Sequence, residues 1–132
     1  LLVIMAAMAA TAAAESLEDR LAAHLFPPDL IMRHQRHIGL GPEQREAVTR
    51  AVRAAQREFL DLQWQLEDAT AALIEVLARP DPDDAQVLEH VQAVLAAENT
   101  IKQRHILLLL EIRRLLSPEQ RAALREAAAD HR

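Results

Sequence analysis

The sequence predicts an all-α protein: a long antiparallel helical hairpin with short flanking helices, four helices in the mature chain. Three observations carry that prediction. First, the composition is 51% hydrophobic but only 2% aromatic, with two glycines and no tyrosine, so an aliphatic core is built from good helix formers. Second, nearly the same hexapeptide occurs twice, Leu40-Gly41-Pro42-Glu43-Gln44-Arg45 and Leu116-Ser117-Pro118-Glu119-Gln120-Arg121, and each copy reads as a helix start. Gly41 or Ser117 takes the N-cap, proline takes the first helical position where its missing N–H costs nothing, and an acid follows near the positive helix end. Third, two long segments repeat apolar residues in alternating steps of three and four.

Taken in order, residues 1–14 carry no charge and close on Ala12-Ala13-Ala14 before Glu15. That pattern suits the apolar core and small-residue cleavage site of a secretory signal; a buried N-terminal helix is the other reading. The stretch is shorter than the roughly 20 apolar residues of a membrane span. Residues 15–28 read as a linker ending at Pro27-Pro28, a helix stop, after which Asp29 caps a brief helix over Leu30 to Ile38, ended by Gly39. The domain proper is expected over 29–132. A second helix should run from Pro42 to about Arg79, Pro80-Asp81-Pro82-Asp83 breaks the chain, and a third should run from Asp84 to Leu116. Ser117, with Gln120 three residues on, forms a capping box for a last helix to about Asp130.

The second helix presents Val48, Val52, Ala55, Phe59, Leu62, Leu66, Ala69, Leu73 and Val76 along one seam. The third answers with Val87, Val91, Val94, Glu98, Ile101, His105, Leu108, Ile112 and Leu115. The connection is short, so the two helices must fold back antiparallel, and residues whose numbers sum to about 163 lie opposite each other. His105 then faces Glu58 and Phe59.

A simple hairpin leaves apolar surface over. Leu60, Trp64 and Ile74 form a second stripe on the second helix, turned away from the seam. Around Ile106 to Leu110 the third helix is apolar on every side, so Leu107 and Leu110 need a cover that the second helix cannot supply. The short helices over Leu30 to Ile38 and Ala122 to Ala127 are natural covers at that end, and a second subunit is the other. Leu60, Trp64, Ile74, Leu107 and Leu110 are therefore the candidate surface for a client chain or a second copy of this one.

Charge is polarised as well. Between Glu58 and Asp84 stand eight acids against one base, Arg79, whereas Arg45, Arg50, Arg53 and Arg57 make the start of the second helix basic. The formal net charge is −5, which argues against a duplex nucleic-acid partner. Catalysis has no foothold: there is no cysteine, no His-Glu-x-x-His, no glycine-rich phosphate loop, and of the two serines Ser117 is committed to a cap.

These residues resemble the Spy/CpxP family of periplasmic proteins and the related heavy-metal-resistance sensors, whose signature is a twice-occurring Leu-Thr-x-x-Gln. Here it stands as Leu40, Gly41 and Gln44, and again as Leu116, Ser117 and Gln120, with glycine and serine in the threonine position. The segments Leu25-Phe26-Pro27-Pro28-Asp29-Leu30 and Asp61-Leu62-Gln63-Trp64-Gln65-Leu66 are also similar to members of this group. The resemblance implies a periplasmic, non-enzymatic, often dimeric helical protein with no stable membrane span and no required cofactor. Its partners would be unfolded or partly folded periplasmic proteins, or an envelope-stress regulator.

The same resemblance implies an alternative, a periplasmic sensor of Zn, Ni or Co. Sensors of this kind carry two histidines one turn apart on the first helix, a glutamate on the second and a His-x-x-x-Met on the third. The matching candidates are His34 and His37, Glu58, and His105; Leu109 stands at the methionine position, and the two histidines are three residues apart where the pattern has four. A seam histidine opposite a carboxylate is also satisfied without metal, as a hydrogen-bonded pair of His105 and Glu58.

Overall fold

The computed structural model describes residues 20–21 and 23–130. The signal-like residues 1–14 lie outside them. Four helices account for most of the described chain: α1 (Pro28–His34), α2 (Pro42–Leu77), α3 (Asp84–Arg114) and α4 (Pro118–Ala129). Among the described residues there is no strand. The expected single domain divides into two compact units, one spanning Gly41–Leu115 and the other made of the described residues up to Leu40 and from Leu116 on.

In the second of these units α1 packs on α4. Pro27-Pro28, expected to stop a helix, instead starts one, with Pro27 as an extended N-cap and Pro28 at the first helical position. A proline there loses no hydrogen bond, because the first N–H groups of a helix have no partner in any case. Asp29 is thereby corrected from cap to first-turn residue. Its carboxylate sits near the positive helix end and pairs with Arg33 one turn on, at 3.1 Å. The helix ends at His34, four residues before Ile38, and the chain turns through Gly39, whose φ of +66° is costly for any residue with a Cβ. The core of this unit is Leu25, Phe26, Ile31, Ile38, Leu116 and Leu124, all buried. Leu25 and Phe26 belong to the segment read as a linker.

In the other unit α2 lies along α3. Asp83 caps α3 by accepting from the Gln86 N–H at 3.2 Å, so the Pro-Asp-Pro-Asp break both ends one helix and starts the next. The antiparallel register follows from three contacts spread along the pair: Arg79 to Gln86, Glu58 to Arg104, and Gln44 to Leu115. None of the nine seam residues of α2 is exposed: Val48, Ala55 and Val76 are buried and the other six half-buried.

On α3 the seam differs from expectation at two places. Glu98 and His105 are exposed, and Ala97 and Arg104 stand half-buried in their stead. A step of three in place of four, taken after Val94 and again after Ile101, turns each polar residue outward. Ala97 is small enough to let α2 approach. Arg104 is half-buried, its Nε enclosed and its side chain 36% exposed, so its long aliphatic stem can count toward the seam.

The two hexapeptides use their glutamines in the same way. Gln44 accepts the Gly41 N–H on Oε1 (3.0 Å) and donates from Nε2 to the Leu115 carbonyl (2.9 Å). Gln120 accepts the Ser117 N–H on Oε1 (2.9 Å) and donates from Nε2 to the Gly39 carbonyl (3.4 Å). Each glutamine thus closes its own helix start and holds the residue just before the other hexapeptide. Only the second copy completes the capping box, because Ser117 Oγ accepts the Gln120 N–H (3.1 Å) and Gly41 has no side chain to do the same.

Candidate functional site

A helix of 36 residues packed on one neighbour needs one apolar face, and α2 carries two. Opposite the seam, Leu60, Trp64 and Ile74 are 56%, 63% and 59% exposed. Leu60 and Trp64 flank an open groove completed by Gln63, Leu66 and Glu67. The tryptophan is the only one in the chain, and it lines this groove rather than the core.

On α3 the exposed apolar residues begin earlier than expected. Leu88 and Leu95 are 59% and 50% exposed, and sequence reasoning missed both. The signal was available: once Val87, Val91 and Val94 occupy the seam, Leu88 and Leu95, seven apart, must fall on another face. Farther along, Ile106 and Leu107 are exposed and Leu110 is half-buried, while Leu108 and Leu109 are buried. The run from Ile106 to Leu110 is therefore covered on part of its circumference only.

The polar candidates separate into two groups. In the α2–α3 unit, Glu58 pairs with Arg104 Nε, not with His105; the N–H is out of line for a hydrogen bond, so the contact is an ion pair by proximity. His105 instead sets its ring against Phe59, with centroids 6.2 Å apart and planes tilted by 49°. The expected hydrogen-bonded pair of His105 and Glu58 is corrected on this point, because the register that brings Arg104 half-buried onto the seam turns His105 outward. In the other unit His34 ends α1, where a basic ring suits the negative helix end, and His37 is exposed in the turn that follows. Among the described residues no group of three or more His, Cys, Asp or Glu side chains gathers as a metal centre requires. Nor is any helix among them long and apolar enough to cross a membrane.

A family model of heavy-metal resistance proteins matches residues 1–123, nearly the whole chain. The chain belongs to this family. Its kinship with the Spy/CpxP-like periplasmic helical proteins accords with the hairpin, the flanking helices and the paired glutamine caps described above. No curated protein and no solved structure matches the chain significantly.

Proposed function

We propose that this heavy-metal resistance family member works in the periplasm, without catalysis and without ATP, by binding unfolded or partly folded polypeptides on the outward faces of its hairpin. One observation carries the reading: large apolar side chains on both arms, Leu60, Trp64 and Ile74 on α2 and Leu88, Leu95 and Leu107 on α3, stand half or more exposed. Leu88 and Leu95, seven apart, share one face of α3, as Leu60 and Trp64, four apart, share one face of α2, while Leu107 falls on a different side of α3. Scattered single hydrophobic residues are ordinary on a protein surface, but repeated ones in line along a helix mark a binding face. Charged residues rim these stripes, which suits a surface that grips clients weakly and lets them go.

The test is suppression of aggregation of a chemically unfolded client at equimolar protein. The wild type suppresses it, and Leu88→Lys with Leu95→Lys reduces the effect at unchanged helicity. A wild type without effect on aggregation sinks the proposal.

A second reading, direct metal sensing, is favoured by the family's own description. It would draw on His34, His37, Glu58 and His105, with imidazole and carboxylate suiting Zn, Ni or Co. Calorimetric titration of each metal decides it: binding tighter than about micromolar, lost in His34→Ala and His105→Ala, supports the sensor, and weaker binding removes it.

A further inference from the structure

Four of the exposed hydrophobic residues share one broad side of the hairpin. Counting about 100° per residue around each helix axis from its seam, Ile74 and Leu77 on α2 and Leu88 and Leu95 on α3 turn to the same side, each exposed by half or more. The Arg79–Gln86 and Glu58–Arg104 contacts bridge the opposite side. Antiparallel pairing sets Leu88 level with Ile74 and Leu77, so the two arms contribute to one patch near the hairpin tip. Leu60 extends it along the same side of α2.

The charge around this patch is of one sign. From Glu58 to Glu89 stand nine acids and one base, Arg79. Glu67 lies two turns before Ile74 on the same side, Glu89 follows Leu88, and Asp81, Asp83 and Asp84 occupy the tip, all exposed.

Resting on the reading of the hairpin's outward faces as polypeptide-binding surfaces, we propose that this acid-rimmed patch selects cationic amphipathic segments. Such a segment lies along the trough between α2 and α3 as a third helix, its apolar stripe inward and its lysines and arginines over the acids. The backbone decides for a helix over an extended strand. Within α2 and α3 the N–H and C=O groups are paired along their own helices, so an extended chain covering the patch would bury unpaired polar groups of its own. A helix satisfies its backbone internally and repeats apolar residues every three or four positions, the rhythm of Ile74 to Leu77 and, over two turns, of Leu88 to Leu95. From Leu77 back to Leu60 the patch runs about 25 Å, which roughly 17 residues of bound helix cover. So dense a field of acid draws cationic segments in and repels anionic ones, an anionic membrane surface included.

The test uses the purified chain and two labelled peptides of roughly 18 residues, five turns of helix. Both carry the same leucine stripe, with lysine at the remaining positions of one and glutamate in the other. By fluorescence anisotropy the lysine peptide binds at least about tenfold more tightly, the mark of electrostatic selection. Raising salt from about 0.05 to 0.5 M, which shortens the screening length severalfold, narrows the gap. Circular dichroism of the mixture shows more helix than the sum of its parts. Glu67→Gln with Glu89→Gln lowers the preference severalfold, and Leu88→Ser with Leu95→Ser removes binding, each at unchanged helicity of the protein. If either variant fails to fold, a scrambled lysine peptide without the stripe carries the test on the wild type, binding at least about tenfold more weakly than the striped one if the apolar patch is engaged. Equal binding of lysine and glutamate peptides, equal binding of striped and scrambled ones, or binding without a gain in helix overturns the proposal. Sedimentation of the chain with phosphatidylglycerol vesicles, which would give the patch to a membrane, overturns it too. Aggregation suppression on the same samples separates the two readings. Protection of clients with no preference between the peptides removes the cationic selection and leaves the functional reading standing, whereas peptide selection without protection keeps the site and removes the broader role.

Discussion

Two glycines two residues apart do opposite things. Gly39 has a positive φ and nothing within 4 Å of where a Cβ would stand, so the cost of a side chain there is conformational and not steric. Gly39→Ala should destabilise the protein by about 1–2 kcal/mol, the left-handed penalty of an L-residue, and Gly39→Asn by less. Gly41 has ordinary extended backbone, φ −74° and ψ 157°, and an added Cβ would meet only Gln44 Oε1 at 3.6 Å. Nothing in its conformation requires glycine. Gly41→Ser should therefore supply the hydroxyl that Ser117 supplies in the second copy and stabilise by a few tenths of a kcal/mol, roughly the difference between serine and glycine caps. Thermal melts followed by circular dichroism read both changes, and a destabilised Gly41→Ser would show that the cap geometry has been misjudged.

At the scale of elements, the decisive residues are those that join one helix to the start or flank of another. Gln44 makes two bonds with one amide group, one inside its own helix start and one to the Leu115 carbonyl. Gln44→Glu keeps the acceptor but replaces the donor by a carboxylate facing a carbonyl, so it should cost more than the loss of one hydrogen bond, about 1–3 kcal/mol; Gln44→Leu loses both bonds without the repulsion. Chemical denaturation compares them, and equal stability of Gln44→Glu and wild type would deny the bond a role. Arg104 separates packing from charge in the same way. Its side chain is 36% exposed and that of Glu58 is 50% exposed, so their ion pair is worth at most about 1 kcal/mol. Arg104→Met, which keeps the stem, should be close to neutral, whereas Arg104→Ala opens the seam and should destabilise by about 1–2 kcal/mol. If Met proves as costly as Ala, the pair and not the stem holds that position.

At the scale of the whole molecule, the chain spends its apolar residues unevenly. Among the described residues no polar or charged side chain is fully buried, while nine large hydrophobic ones are exposed. Those nine therefore lie outside the buried core. Leu88→Lys with Leu95→Lys should accordingly leave the melting temperature nearly unchanged, within the roughly 0.5 kcal/mol typical of surface substitutions, while lowering client protection. A large loss of stability in that pair would reassign those leucines to the fold.

Helix existence, helix order and the antiparallel pairing were legible in the residues, because caps, proline breaks and a sustained apolar rhythm are local properties that hold whatever surrounds them. The second stripe on α2 was legible for the same reason: Leu60, Trp64 and Ile74 cannot share a face with Phe59, Leu66 and Leu73. What was not legible is where two equally good local solutions competed. Pro28 can end one helix or begin the next, and Asp29 can cap or follow, until the burial of Phe26 and Ile31 fixes the chain's path. Along α3, steps of three and of four are equally allowed after Val94 and Ile101. The choice fell to packing against α2, which prefers the small Ala97 and the long stem of Arg104 to Glu98 and His105. A helix sets the angle between its own residues, but only the neighbour it rests on selects which of them turn inward.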